Sequence, residues 1–192
     1  MTGADKERSY NGDYMEDGRI AEQIVMTWLR RNSSVIGVDD WRELQVVREA
    51  DVDCAVKLRD GRVRLAEIKS DKHLGVSGNV LFEVLRINHT CMSEKACVLG
   101  WSARSPATYF LYYAPEVKAI YVCRPDDLRS AFQNYTKNAR KKTALCWVDT
   151  DRIKSTLNVL IPWEQCKQVF QVYDVHLLVE AILASGGQGG QA

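Results

Sequence analysis

Residues 51–69 constrain the fold of this chain more than any other segment. They read DVDCAVKLRDGRVRLAEIK, two runs rich in apolar residues that are separated by Asp60-Gly61. Asp-Gly is a strong hairpin signal, because these residues tolerate the positive φ of a primed turn. The segment therefore predicts two strands, around 52–58 and 62–70, joined by a tight turn.

The second of these strands carries an acid and an amine on one face. Side chains alternate across a strand, so Glu67 and Lys69 lie on the same face and Ile68 points into apolar packing on the other. Pairing across the turn brings Asp53 toward Glu67, and by the same alternation Asp51 shares the face of Asp53. Two carboxylates beside an ammonium group can hold a divalent cation. An ordinary charged hairpin remains the alternative, because Glu-x-Lys is common on solvated strands.

A helix is predicted upstream of the hairpin. Between residues 17 and 31 the apolar residues fall at positions 20, 21, 24, 25, 28 and 29. This spacing is typical of an amphipathic helix. Glu22 lies on the flank of the apolar stripe.

The order of Asp53, Glu67 and Lys69 resembles the metal site of the PD-(D/E)XK nuclease superfamily, in which an Asp is followed on the next strand by an acid-x-Lys triplet. A valine stands here in place of the proline that commonly precedes the aspartate. The first helix is similar too, because Gly18, Ala21 and Glu22 match the family's Gly-x-x-Ala-Glu pattern. The resemblance implies that Glu22 belongs to the site; a solvated Glu near a helix N-terminus is the alternative.

The chain downstream resembles a bacteriophage-type branch of this superfamily. Glu-x-Lys-x-Asp is followed by Gly78-Asn79 with Glu83, then by Gly100-Trp101 and a small-residue segment that enters an aromatic strand. The resemblance runs from about residue 12 to about residue 135. It implies a restriction-endonuclease-like α/β fold, a three-layer sandwich with a central mixed β-sheet flanked by helices.

The resemblance also implies hydrolysis of phosphodiester bonds, with DNA as the expected partner. Asp53, Glu67 and the backbone carbonyl of Ile68 are expected to hold Mg²⁺, with Mn²⁺ as a substitute. Lys69 is expected to orient the attacking water, with Asp51 and Glu83 as assisting residues. Members of the family often act as homodimers. Two alternatives remain: a catalytically inactive nucleic-acid-binding or assembly protein with the same fold, and a small-molecule enzyme with an enclosed pocket.

Charge alone does not identify a nucleic-acid-binding protein. The formal net charge is only +1, so any contact with phosphates must be local. Four cations in the six residues 137–142 can neutralise phosphates without reading sequence; a solvated helix end is the alternative. Arg104 is a further candidate for the DNA groove. The residues of the basic segment are Lys137, Arg140, Lys141 and Lys142.

Length and composition predict one domain over residues 1–184, because 192 residues with 46% apolar content can form a substantial core. Residues 185–192, rich in Gly and Gln, are expected to form a flexible tail. The absence of a long apolar run or signal peptide favours a cytoplasmic protein outside the membrane. None of the six cysteines forms a C-x-x-C pair, so reduced core thiols are expected. Further strands are expected within 34–47 and at 81–86, 109–113, 119–123 and 156–161, with helices at 125–135 and 175–183.

Overall fold

The computed structural model describes residues 18–45, 50–72, 74–90, 96–138, 142–147 and 154–186. The helices are α1 (18–31), α2 (Trp101–Arg104), α3 (Pro125–Asn138), α4 (Trp163–Cys166) and α5 (His176–Gly186). The strands are β1 (Val35–Asp40), β2 (Cys54–Leu58), β3 (Val63–Ser70), β4 (Asn79–Asn88), β5 (Cys97–Leu99), β6 (Tyr109–Ala114), β7 (Ala119–Cys123), β8 (Lys142–Trp147), β9 (Lys154–Pro162) and β10 (Phe170–Asp174). Short 3-10 turns occupy Pro115–Val117 and Lys167–Val169.

The central layer is a six-stranded mixed sheet in the order β1-β2-β3-β6-β7-β10. Strands β3 and β6 are parallel, and the other neighbouring pairs are antiparallel. A second, antiparallel sheet has the order β5-β4-β9-β8. The expected α/β fold with a central mixed sheet flanked by helices is confirmed.

The two faces of the central sheet bury separate apolar clusters. Strand β6 shows why, since its alternate residues Leu111 and Tyr113 face α1 and α5, whereas Phe110 and Tyr112 face the second sheet and α3. All four of these side chains are buried. Such two-sided burial is typical of a strand in the middle of a layered α/β fold. The second sheet therefore supplies part of the layer for which helices alone were expected.

The predicted hairpin is confirmed. Strand β2 pairs antiparallel with β3 in a register that places Cys54 opposite Ala66 and Lys57 opposite Val63. Gly61 takes the left-handed conformation that the turn requires, with φ of 81°. The first strand begins at Cys54 and not at residue 52, and Asp51 upstream of it has a φ of 53°, outside the extended range.

Other boundaries differ from the sequence expectations. The early strand is β1, which ends at Asp40 before a turn, and the short strands β5, β8 and β10 were not expected. Helix α5 continues to Gly186, two residues into the predicted tail, and residues 187–192 lie outside the described part of the chain. Among the described helices, none combines the length and the hydrophobicity that crossing a bilayer demands.

Candidate active site

Strand β3 places Glu67 and Lys69 on the face of the central sheet that looks toward the second sheet. Ile68 points the other way and packs in the apolar cluster between the central sheet and α1. In the parallel register with β6, Glu67 lies opposite Phe110 and Lys69 opposite Tyr112. Both aromatic rings belong to the apolar cluster between the central sheet and the second sheet. The alternation predicted for Glu67, Ile68 and Lys69 is thus confirmed.

Glu67 is an almost fully buried carboxylate. Its side chain is 2% exposed, and Oε1 forms an ion pair with Lys69 Nζ, whose side chain is 34% exposed. Glu67 Oε2 is buried and has no hydrogen-bond partner among the described residues. A buried carboxylate oxygen without a partner is costly, so this atom is a candidate ligand for a cation.

Asp53 lies directly beside the middle of β3. Its backbone N–H donates to the Ala66 carbonyl at 2.9 Å, and its Oδ2 accepts a hydrogen bond from the Ile68 N–H at 2.6 Å. The N–H and C=O of one strand residue point to the same side of the strand, so the Ile68 carbonyl faces the Asp53 side of β3. The structure therefore places Asp53, Glu67 and the Ile68 carbonyl on neighbouring positions, as expected.

Asp51 is held by arginines and not by the strand. Because β2 begins at Cys54, the expectation that Asp51 shares a strand face with Asp53 is wrong. Its buried carboxylate contacts Arg104 at 2.6 Å and Arg86 at 3.9 Å, and its carbonyl accepts a hydrogen bond from Ser105 Oγ at 2.6 Å. Asp51 still lies close enough to Glu67 to contribute to the electrostatics of the site.

Glu83 reaches the same region from β4. Its buried Oε1 accepts a hydrogen bond from the Trp101 N–H at 3.2 Å and contacts Arg86 at 3.4 Å. A Cβ atom on Gly100 would lie 2.4 Å from the Glu83 carbonyl oxygen, so the backbones approach more closely here than a side chain allows. The two downstream segments singled out in the sequence, 78–83 and 100–101, thus meet at one point.

Glu22 is engaged in an ion pair at the edge of the site region. It contacts Arg42 of the turn after β1, and Arg42 also binds Asp40. The neighbouring Trp41 N–H donates to the Asp53 carbonyl at 2.9 Å, which links this turn to the start of β2. A role of Glu22 in the site remains a prediction.

Burial dominates the electrostatics of the site. It raises the pKa of Glu67 to about 7; the Lys69 ammonium opposes this shift and the Asp53 carboxylate adds to it. Burial lowers the pKa of Lys69, but the carboxylates of Glu67 and Asp53 outweigh burial and leave that pKa raised. Burial also raises the pKa of Glu83, against the opposing effect of Arg86. Burial, more than repulsion between the acids, therefore sets the protonation of the site carboxylates.

The raised pKa of Glu67 predicts a pH-dependent stability. Between its ordinary value of 4.5 and about 7, the folded protein retains a proton that the unfolded chain releases. The free energy of unfolding then falls as pH rises through this window, by on the order of 3 kcal/mol. Glu67→Gln removes this contribution, so metal-free urea unfolding from pH 4.5 to 7.5 should show the variant gaining stability relative to the wild type. Equal pH slopes for the two proteins would contradict the raised pKa.

The donor set suits a small hard cation. Across the described ranges, no three His, Cys, Asp or Glu side chains are grouped closely enough to form a metal site by themselves. Two carboxylates and a carbonyl, with water completing the coordination, are nevertheless what Mg²⁺ commonly uses. Asp53, Glu67 and the Ile68 carbonyl provide these donors, and the unpartnered Glu67 Oε2 fits such a ligand. The residues present are therefore compatible with the ion.

The structure describes three of the five candidate DNA-binding residues, Arg104, Lys137 and Lys142. Arg104 lies at the site but is paired with Asp51, whereas Lys137 is exposed near the end of α3. Lys142 begins β8, and Arg140 and Lys141 lie outside the described residues. Their contact with DNA remains a prediction.

Sequence reasoning missed Arg86 and did not anticipate the contact between Trp101 and Lys69. Arg86 contacts both Asp51 and Glu83, and the Trp101 ring lies beside the Lys69 ammonium. Arg86 follows Glu83 by three residues, a spacing that puts side chains on opposite faces of a regular strand, and the register irregularity between Glu83 and Leu85 that accompanies their contact had no sequence signal. Trp101 is 4% exposed, and its contact with Lys69 had no local sequence signal.

No protein-family model matches this chain, and no curated protein matches it. Among solved structures, a bacterial homing endonuclease, I-Ssp6803I, is similar with a TM-score of 0.42 and 18% sequence identity. The match covers 60% of this chain and 72% of the other.

Proposed function

We propose that this protein is a metal-dependent nuclease of the PD-(D/E)XK type that hydrolyses phosphodiester bonds in DNA. One observation carries the proposal: Asp53, Glu67 and Lys69 meet at the open end of the hairpin, and a buried oxygen of Glu67 has no partner in the part of the chain that the structure describes. Maintaining acidic groups in this arrangement is costly for an ordinary charged hairpin. The cost is offset if the site binds a cation.

The roles of the protein groups follow from their positions. Asp53, Glu67 and the Ile68 carbonyl would hold Mg²⁺ or Mn²⁺, which supplies Lewis acidity and a coordinated water. Lys69 carries a proton at the pH of the cell, so its ammonium can orient a water and stabilise negative charge that develops on the phosphate oxygens. Arg86 and Arg104, both partly exposed, flank the site and are available to contact backbone phosphates.

Two other functions fit this geometry less well. An inactive DNA-binding protein with this fold has no need to keep Lys69 against a buried Glu67. A small-molecule enzyme would use an enclosed pocket at the acid-Lys pair. A cavity of about 690 Å³ does exist, but it is lined by residues such as Leu29, Leu111 and Arg124, and neither Glu67 nor Lys69 lines it.

The proposal is tested by incubating labelled linear, single-stranded and branched DNA with the protein in Mg²⁺, then in Mn²⁺. Cleavage that requires the ion and disappears in Glu67→Gln is expected. Binding without cleavage on every substrate would favour the inactive DNA-binding protein.

Metal binding has an independent readout in thermal unfolding at pH 7.5. A ligand that binds only the folded state at about ten times its Kd should raise the Tm by about 3–5 °C. The rise should be absent in Glu67→Gln, which lacks the charge that attracts the ion. An unchanged wild-type Tm in both Mg²⁺ and Mn²⁺ would contradict the site.

A further inference from the structure

The ammonium group of Lys69 has a second partner besides Glu67. Its Nζ lies 5.0 Å from the centroid of the Trp101 ring. A cation at this distance from an indole face is attracted by the ring quadrupole, and indole is the strongest natural partner of this kind. Trp101 is almost completely buried, whereas a third of the Lys69 side chain remains exposed.

The backbone that carries Trp101 is fixed by hydrogen bonds to β4. The Gly100 N–H donates to the Val84 carbonyl at 2.8 Å, and the Trp101 N–H donates to Glu83 Oε1 at 3.2 Å. The Glu83 N–H donates to Ser102 Oγ at 3.0 Å. Residues 100–102, at the start of α2, are thereby attached to the second sheet, and this fixes the backbone from which the ring projects toward Lys69.

Neighbouring rings restrict the indole further. Phe110 packs edge-on against Trp101, with centroids 4.9 Å apart and an interplanar angle of 73°, and Tyr112 lies 5.8 Å away. Both rings come from β6, the parallel neighbour of the strand that carries Lys69. The indole is consequently held against the same sheet as the ammonium.

The two partners of Lys69 differ in one chemical respect. A cation bound to Glu67 competes with Lys69 for the carboxylate, whereas an uncharged indole is a poor ligand for a hard cation such as Mg²⁺. Attraction to the indole therefore persists when the carboxylate is shared. We propose that Trp101 is a positioning residue that keeps the Lys69 ammonium at the reacting phosphate. This inference rests on the proposed nuclease function.

The test replaces Trp101 site-specifically with tryptophan analogues that carry increasing numbers of fluorine atoms. Fluorination weakens the ring quadrupole and changes the shape little, so a packing role alone would leave the readouts constant. We expect the single-turnover cleavage rate at saturating DNA to fall stepwise with fluorination, and about tenfold in Trp101→Leu. The Kd for DNA should change little.

A second readout does not depend on cleavage. The NMR order parameter of the Lys69 Cε group in the metal-free protein should fall along the same series. The matched control is the same series at Trp163, which packs against Tyr121 and Phe170. A constant rate and order parameter across the Trp101 series, or equal losses at both tryptophans, would overturn the inference.

The two readouts separate this inference from the proposed function. If no DNA is cleaved under any condition, the proposed function fails, and the order parameter still decides whether Trp101 restrains Lys69. If the wild type cleaves DNA and neither readout changes across the Trp101 series, the proposed nuclease function is supported and the positioning role of Trp101 is refuted.

Discussion

Replacing Lys69 with methionine is expected to lower the single-turnover rate of DNA cleavage by about 10²–10⁴-fold, the range found for groups that act directly on proton transfer or developing charge. Methionine preserves most of the length and apolar contact of the lysine stem and removes only the ammonium. DNA affinity should change far less than the rate, because one cation contributes modestly to phosphate binding. Lys69→Arg should cleave DNA little faster than Lys69→Met, since the larger planar head of arginine cannot occupy the same position between Glu67 and the Trp101 ring.

The same substitution on the neighbouring strand is the control. Lys57 lies on β2, is half exposed and forms a surface ion pair with Asp39. Such pairs contribute about 0–1 kcal/mol, so Lys57→Met should fold and cleave DNA as the wild type does. A Lys69→Met protein that cleaves at the wild-type rate would refute the assignment of the site, whatever its affinity for DNA.

Replacing Gly100 with alanine is expected to cost about 3 kcal/mol of unfolding free energy or more. The new Cβ would lie 2.4 Å from the Glu83 carbonyl oxygen and 2.6 Å from Glu83 Cγ. The nearest clash is with backbone, so relief requires β4 and α2 to separate, and overpacking of this kind is strongly destabilising. Urea unfolding of the wild type and the variant measures the difference.

Gly18 provides the matched control for Gly100→Ala. It begins helix α1, and a Cβ there meets no atom of the described residues within 4 Å. Gly18→Ala should leave stability unchanged or raise it by about 0.5–1 kcal/mol, because alanine has less backbone freedom to lose on folding. Equal effects of the two substitutions would mean that β4 and α2 are not in close contact in solution.

Structural features that follow from short-period sequence patterns could be predicted. The Asp60-Gly61 turn and the two-residue alternation of β3 were sufficient to place Glu67 and Lys69 together and Ile68 opposite them. The apolar spacing of residues 18–31 predicted α1 for the same reason. In these cases the local pattern and the tertiary burial agree.

Contacts between segments distant in the chain could not be predicted. Asp51 pairs with Arg86 and Arg104 from a left-handed conformation, with a φ of 53°, that the sequence did not indicate. Strand β10 was missed because its last four residues are exposed and it lies at the edge of the sheet, where apolar alternation is not required. Strand β8 follows the basic segment, whose charges favoured a loop.

The parallel pairing of β3 with β6 has a consequence for assembly of the site. The chain between these strands contains β4, β5 and α2, and it therefore carries Glu83 and Trp101. Closing the centre of the main sheet brings this connection across Glu67 and Lys69. The pairing of β3 with β6 and the completion of the site are thus coupled, since both bring the two ends of this connection together.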